Sequence, residues 1–239
     1  MKREPLVLTF AIVFPTAMAW LYFVVLSGGS AETTSGPIVR AVYALGKLIQ
    51  FGLPFAWLAC VDRPALRWSG PTTRGLGAGA IFGLAVAALA AIMYLGLLAG
   101  SPALSAAPEA IRAKLAEFDV ATPRRFWLLA TFLAVVNSLL EEVYWRWFVF
   151  GRLRRYVSVA TAIVMSSLAF MGHHVIVLWV YFPGRFAAAV VPFSLAIAFG
   201  GAVWAWLYHR TGSLLGPWLS HAIVDFAVMA IGYDLAFRR

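Results

Sequence analysis

Apolar residues come in seven long runs, at 5 to 27, 40 to 61, 75 to 99, 126 to 150, 159 to 181, 187 to 208 and 214 to 236, separated by polar connections. A helix crossing the hydrocarbon core needs about 20 mostly apolar residues, because each adds only about 1.5 Å of rise. All seven runs are long enough. The pattern predicts an all-α fold, a polytopic transmembrane helical bundle of seven or eight helices. The first run begins with basic residues and contains Ala17-Met18-Ala19, which mimics a signal-peptidase site. Its apolar stretch continues to Leu26 and outlasts a signal sequence, so it is expected to be an anchor. No tandem repeat is present and no loop could house a soluble domain, so residues 1–239 are expected to form a single membrane domain.

The longest connection, 100 to 125, contains "APEAIRAKLAEF". Ile111, Leu115 and Phe118 fall at helical spacing, with Arg112, Lys114 and Glu117 off that stripe, so this segment is expected to lie on the membrane surface. The third run opens with Gly75, Gly79 and Gly83, four apart on one face, which predicts close helix packing within the bundle rather than a dimer contact.

Composition agrees with the pattern: 62% of the 239 residues are hydrophobic, 12% are charged, and the mean hydropathy is +0.84. A net charge of +9 would suggest nucleic acid in a soluble chain. Here the basic residues lie mostly between apolar runs, where they meet lipid headgroups and set orientation, so the bilayer is the expected partner and nucleic acid is not. With the N-terminus in the cytosol, Lys2, Arg3, Arg63, Arg67, Arg74, Arg152, Arg154, Arg155 and Arg210 fall inside. Arg40, Arg112, Lys114, Arg124, Arg125, Arg185, Arg238 and Arg239 fall outside, so the totals nearly tie. The short loop "GRLRRY" after the fourth run favours this orientation. Cys60 is the single cysteine, which excludes an intrachain disulfide, and its apolar context predicts a buried small hydrophobe.

The polar residues inside the runs carry the candidate chemistry, because an ionisable group in hydrocarbon is costly and seldom present without a task. In "NSLLEEVYWRW", Glu142 and Arg146 are four apart in the order that favours pairing on a helix. That leaves Glu141 unclaimed, with Asn137 four residues earlier in a position to brace it. The fifth run offers His173 and His174, of which only one can point squarely at a given site. The seventh offers His221 and Asp225 on one face. Each has a plain structural reading, as an interhelical hydrogen bonder or a neutralised pair. Together, on three separate runs, they are hard to explain as unrelated packing choices. Lys47 and Asp234 are expected to reach an interface, and Trp145, Trp147, Trp204 and Trp206 to serve as belt and packing residues. Counting rise from the expected cytosolic ends sets His174 deeper than Glu141 or His221.

These residues resemble the CAAX protease and bacteriocin-processing family of intramembrane proteases, which includes the type II CAAX prenyl endopeptidases. Its EExxxR motif matches Glu141, Glu142 and Arg146, its FxxxH matches Phe170 and His174, and its HxxxN or HxxxD matches His221 and Asp225. The resemblance covers roughly residues 126 to 232, the expected catalytic helices. It implies hydrolysis of a peptide bond near the membrane surface, with Glu141 and His174 activating water while His221 and Asp225 assist the oxyanion. Glu142, Arg146, Asn137 and Phe170 would support them. The implied partner is a membrane-associated protein or peptide; small size and the absence of a eukaryotic-looking loop point to a prokaryotic cytoplasmic membrane. Glu141, His174 and His221 are also zinc-ligand types, so a metal-bound water and a water held by Glu and His alone both stay open, although no HExxH is present. The rivals are a non-catalytic relative acting in immunity or as a scaffold, and a proton-coupled transporter. Against the transporter, no pair of broken helices recurs in matching halves.

Overall fold

A computed structural model describes residues 3–28, 36–61, 72–105 and 107–239. The described residues form eight helices and no strand: α1 (Glu4–Leu26), α2 (Pro37–Cys60), α3 (Leu76–Leu98), α4 (Ala107–Glu117), α5 (Pro123–Leu153), α6 (Val159–Tyr181), α7 (Phe186–Thr211) and α8 (Leu215–Phe237). All but α4 are long and apolar enough to cross a membrane. The protein is an integral, multi-pass membrane protein.

Helix ends follow local chemistry. Proline lies in the first turn of α1, α2 and α5, where its missing N–H costs nothing. Ser158 caps α6 by accepting from the Thr161 N–H at 3.2 Å. α7 stops at Gly212, whose φ of +68° suits glycine. α5 is longer than the expected 126 to 150, because Thr122 caps it by accepting from the Arg125 N–H and Pro123 starts it early, with Arg124 and Arg125 exposed in its first turn.

The close packing expected of the glycine row is present between α3 and α8. A Cβ on Gly79 would collide with the Gly216 carbonyl, and one on Gly83 would come within 2.9 Å of the Ser220 carbonyl. Small residues thus let α3 lie directly against the helix that carries His221. Glu4 lies 3.0 Å from Arg155 and 3.8 Å from Arg152, so α1 begins on the face where α5 ends. Lys2, Arg63 and Arg67 lie outside the described residues.

Three expectations are corrected. Cys60 is exposed rather than buried, because it ends α2 on its outward side. α4 uses both faces. Ile111 and Leu115 pack on α8 and the start of α5, while Lys114 and Glu117 are also buried, 2.8 Å apart, with Tyr22 donating to Glu117 at 3.2 Å. The stripe therefore understates the contacts of this helix, and Phe118 is the member of it left exposed. Lys47 does not reach an interface either; it lies inside the bundle beside the rings of Tyr43 and Phe51.

α5 departs from regular helix on both sides of its acidic pair. Phe132–Asn137 and Val143–Phe150 are π-helical, flanking the α-helical turn Ser138–Glu142. The wider turn inserts residues without ending the helix and changes which side chains share a face, a distortion often found at functional sites. Here it turns Glu141, Glu142, Tyr144, Trp145 and Arg146 all into protein.

Candidate active site

Glu142 is fully buried and held from two directions. His221 Nδ1 on α8 donates to Oε1 at 2.8 Å, and Arg146 Nε, one turn along α5, lies 3.1 Å from Oε2. Arg146 is 2% exposed, and its guanidinium carbon sits 4.7 Å from the ring centre of Phe170 and 5.1 Å from that of Trp204. Two aromatic faces thus supply part of what water would give the cation. α7 leaves room with Gly201, where a Cβ would lie 3.2 Å from Phe170 and 3.5 Å from the guanidinium.

Glu141 is buried beside this pair. Asn137 Nδ2 donates to its Oε1 at 3.0 Å, and its Oε2 lies 3.9 Å from His221 Nε2. His174 and Lys47 are near enough to act on it electrostatically. On α6, His174 Nδ1 donates to the Phe170 carbonyl one turn back at 3.0 Å, which leaves Nε2 with a free lone pair. Phe170 touches both imidazoles, with ring centres 4.7 Å from His174 and 5.9 Å from His221. One ring thus bridges the two imidazoles.

His221 is the hub. Its Nε2 faces Asp225 at 3.6 Å as well as Glu141, and the plane of Trp204 stacks on it at 4.2 Å. Trp204 is fixed in turn by donating Nε1 to Ser220 Oγ at 2.9 Å. Asp225 is partly exposed and forms the open edge of the cluster. His173 points elsewhere. It stacks on Trp145 at 6.2 Å, and its Nδ1 has no hydrogen-bond partner among the described residues.

All eight residues singled out by sequence are brought to one locus by α5, α6 and α8. His221 Nδ1 meets Glu142, so Glu142 serves two partners. Trp145 and Trp204 are buried and pack as walls of the site, the packing role expected of them. Lys47 was missed as a site neighbour, because nothing in its own run marks the direction it faces. A zinc ion needs three or four donors converging on one point. Among the described residues no group of three or more His, Cys, Asp or Glu does so, Glu141, His174 and His221 included.

Residues 123–227, a little under half of the chain, match the protein-family model described as type II CAAX prenyl endopeptidase Rce1-like. This segment is similar to the CAAX protease family. Its limits take in all of the clustered residues on α5, α6 and α8 and leave α1 to α4 outside. Comparison with curated proteins gives no match, and neither does comparison with solved structures.

Proposed function

We propose that the protein is a CAAX-protease-like intramembrane endopeptidase that cleaves a membrane-associated protein or peptide with a water held by Glu141 and His174. The observation carrying this reading is the asymmetry of the acidic pair. Glu142 is occupied by His221 and Arg146, whereas Glu141 has one neutral donor, Asn137, and faces two imidazoles.

In the proposed reaction, water donates one hydrogen bond to Glu141 and another to His174 Nε2. Glu141 takes a proton as the water oxygen adds to the scissile carbonyl carbon, and the carbonyl oxygen becomes an oxyanion. His221, protonated on both nitrogens, donates Nδ1–H to Glu142 and Nε2–H to that oxyanion. Collapse restores the C=O bond and breaks the C–N bond, and the amine leaves with the proton from Glu141. Glu142 orients the imidazole as a carboxylate partner commonly does, and Arg146 holds Glu142. Asp225, ionised and therefore acceptor-only, stabilises the imidazolium from the other side.

The test is comparison of membrane-peptide fragments from cells carrying wild type, no protein, or Glu141→Gln. Fragments that appear only with wild type are expected. Identical fragments with wild type and Glu141→Gln would refute the role given to this carboxylate.

A further inference from the structure

At the end of the bundle opposite Glu4 and Arg155, a cavity of about 120 Å³ opens between the turn that leads into α4 and the loop joining α6 to α7. It is lined in part by Pro102, Ser105, Tyr181, Phe182 and Arg185. Arg185 is half-buried and held by the Pro102 carbonyl, to which its Nη2 donates at 2.9 Å. Ser105 Oγ donates to the same carbonyl at 3.0 Å, so one backbone oxygen fixes both side chains at the cavity. The rest of the guanidinium has no partner among the described residues, and neither has the Tyr181 hydroxyl. No carboxylate among the described residues lines the cavity.

Spare donors on a fixed cation call for an anionic acceptor. A guanidinium presents parallel N–H groups that match two oxygens of one phosphate, and a phenol can donate to a third. The cavity is several times larger than one water needs, which leaves room for such a group. Depth then selects what carries it. Trp179, in the last turn of α6, stacks on Trp20 of α1 at 6.1 Å, and the two are 41% and 48% exposed. Exposed tryptophans gather at the level of lipid headgroups, and Tyr181 lies within one turn of Trp179. A phosphate at that level belongs to a phospholipid, whose acyl chains can lie along exposed Phe186 at the start of α7. The lining offers no acid to a choline or ethanolamine, so a lipid of net negative charge fits it best.

We infer that this cavity binds the phosphate of an anionic phospholipid, clamped by Arg185 and receiving a hydrogen bond from Tyr181. The site lies about two helical turns beyond His174 on α6, roughly 10 Å of rise. It is built by the turn before α4 and the loop after α6 rather than by the catalytic cluster, and it holds whether or not the protein is a peptidase. Bound there, the lipid ties the start of α4 to the end of α6 from the headgroup side.

The experiment uses the full chain in detergent, with phosphatidylglycerol or phosphatidylcholine added as the probe and bound lipid counted by native mass spectrometry. Phosphatidylglycerol is expected to bind about tenfold more tightly, the size of one charge-assisted contact. That preference is expected to vanish in Arg185→Gln, shrink in Tyr181→Phe and survive in part in Arg185→Lys, while thermal unfolding by circular dichroism checks that the variants fold. Arg210→Gln, at the other end of the bundle, is expected to leave it unchanged. Equal binding of the two lipids, or an undiminished preference in Arg185→Gln, would overturn the inference. So would an equal loss in Arg210→Gln, which would assign the preference to net charge. Inorganic phosphate is the second probe. Failure to displace phosphatidylglycerol at equal concentration supports the lipid, whereas displacement that depends on Arg185 would make the anion a free phosphate and overturn the lipid as its source.

Discussion

The bundle buries two ionic clusters, and they are built on different principles. At the end of α4, Lys114 and Glu117 sit 2.8 Å apart on the same helix, and Tyr22 adds a hydrogen bond to the acid. The two charges pair within one helical turn, and Arg40 Nη1 on α2 donates to the Glu117 carbonyl at 2.8 Å. At the centre, three carboxylates, one guanidinium and one imidazole within 4 Å of all three acids come from two helices, and the imidazoles of α6 stand beside them. The first cluster ties α4 to α1 and α2. In the central one, Glu141 and Asp225 lie beyond the Glu142–Arg146 pair and both face His221 Nε2. The proposed reaction uses that arrangement, which is packed by Trp204, Phe170 and Gly201, themselves uncharged.

The largest effect expected of this contrast is on activity. Glu141→Gln keeps the size and the Asn137 contact while removing the proton acceptor. Cleavage is expected to fall by about 10²- to 10⁴-fold, the usual worth of a general base. Thermal unfolding in detergent is expected to change little. A variant retaining a tenth or more of wild-type rate would move the base elsewhere.

The next effect is on stability. Glu142→Gln leaves Arg146 buried without its paired carboxylate and weakens the His221 contact, and breaking a buried pair from one side costs about 3–5 kcal/mol. Replacing the acid of the other cluster, Glu117→Gln, is expected to cost about 1–2 kcal/mol, since the amide still accepts from Tyr22 and Lys114 can turn to the interface. Unfolding of both variants followed by tryptophan fluorescence checks the order. Equal losses would mean that the two clusters do the same structural work.

Much of this was legible in the chain, for physical reasons. Membrane spans announce themselves by length, because the bilayer sets a minimum, and all seven were placed to within a few residues at most ends. Spacing of four on a helix also reads directly, which is how Glu142 with Arg146, and Gly79 with Gly83, could be paired beforehand. What spacing misses is rotation. The π-helical stretches of α5 alter its facing, and no residue there signals them. Contacts between distant helices were equally hidden. That Glu142 meets His221 Nδ1, that Trp204 stacks on that ring, and that Lys47 turns inward all depend on how α2, α7 and α8 are rotated. Hydropathy carries no such information. Cys60 failed for the complementary reason: in a membrane, an apolar residue is as much at home against lipid as in a core.

The smallest expected effect calibrates both clusters. Arg125 and Asp119 form an ion pair at the start of α5 with a short separation of 2.5 Å, yet their side chains are 52% and 87% exposed. Distance alone would rank this pair above Glu142 with Arg146 at 3.1 Å. Desolvation reverses the order. Water screens the exposed charges in the folded state and solvates either one when its partner is removed, so such pairs are worth about 0–1 kcal/mol. Arg125→Ala also removes a hydrogen bond from its Nη1 to the Asp119 carbonyl, at 2.9 Å and equally open to water. The loss is expected to stay below about 1 kcal/mol and to shrink as salt is raised. The Glu142→Gln loss, shielded from ions by protein on every side, is expected to be independent of salt. A salt-sensitive Glu142 variant would mean that water reaches the centre of the bundle freely, and the distinction between the two kinds of cluster would then rest on charge count alone.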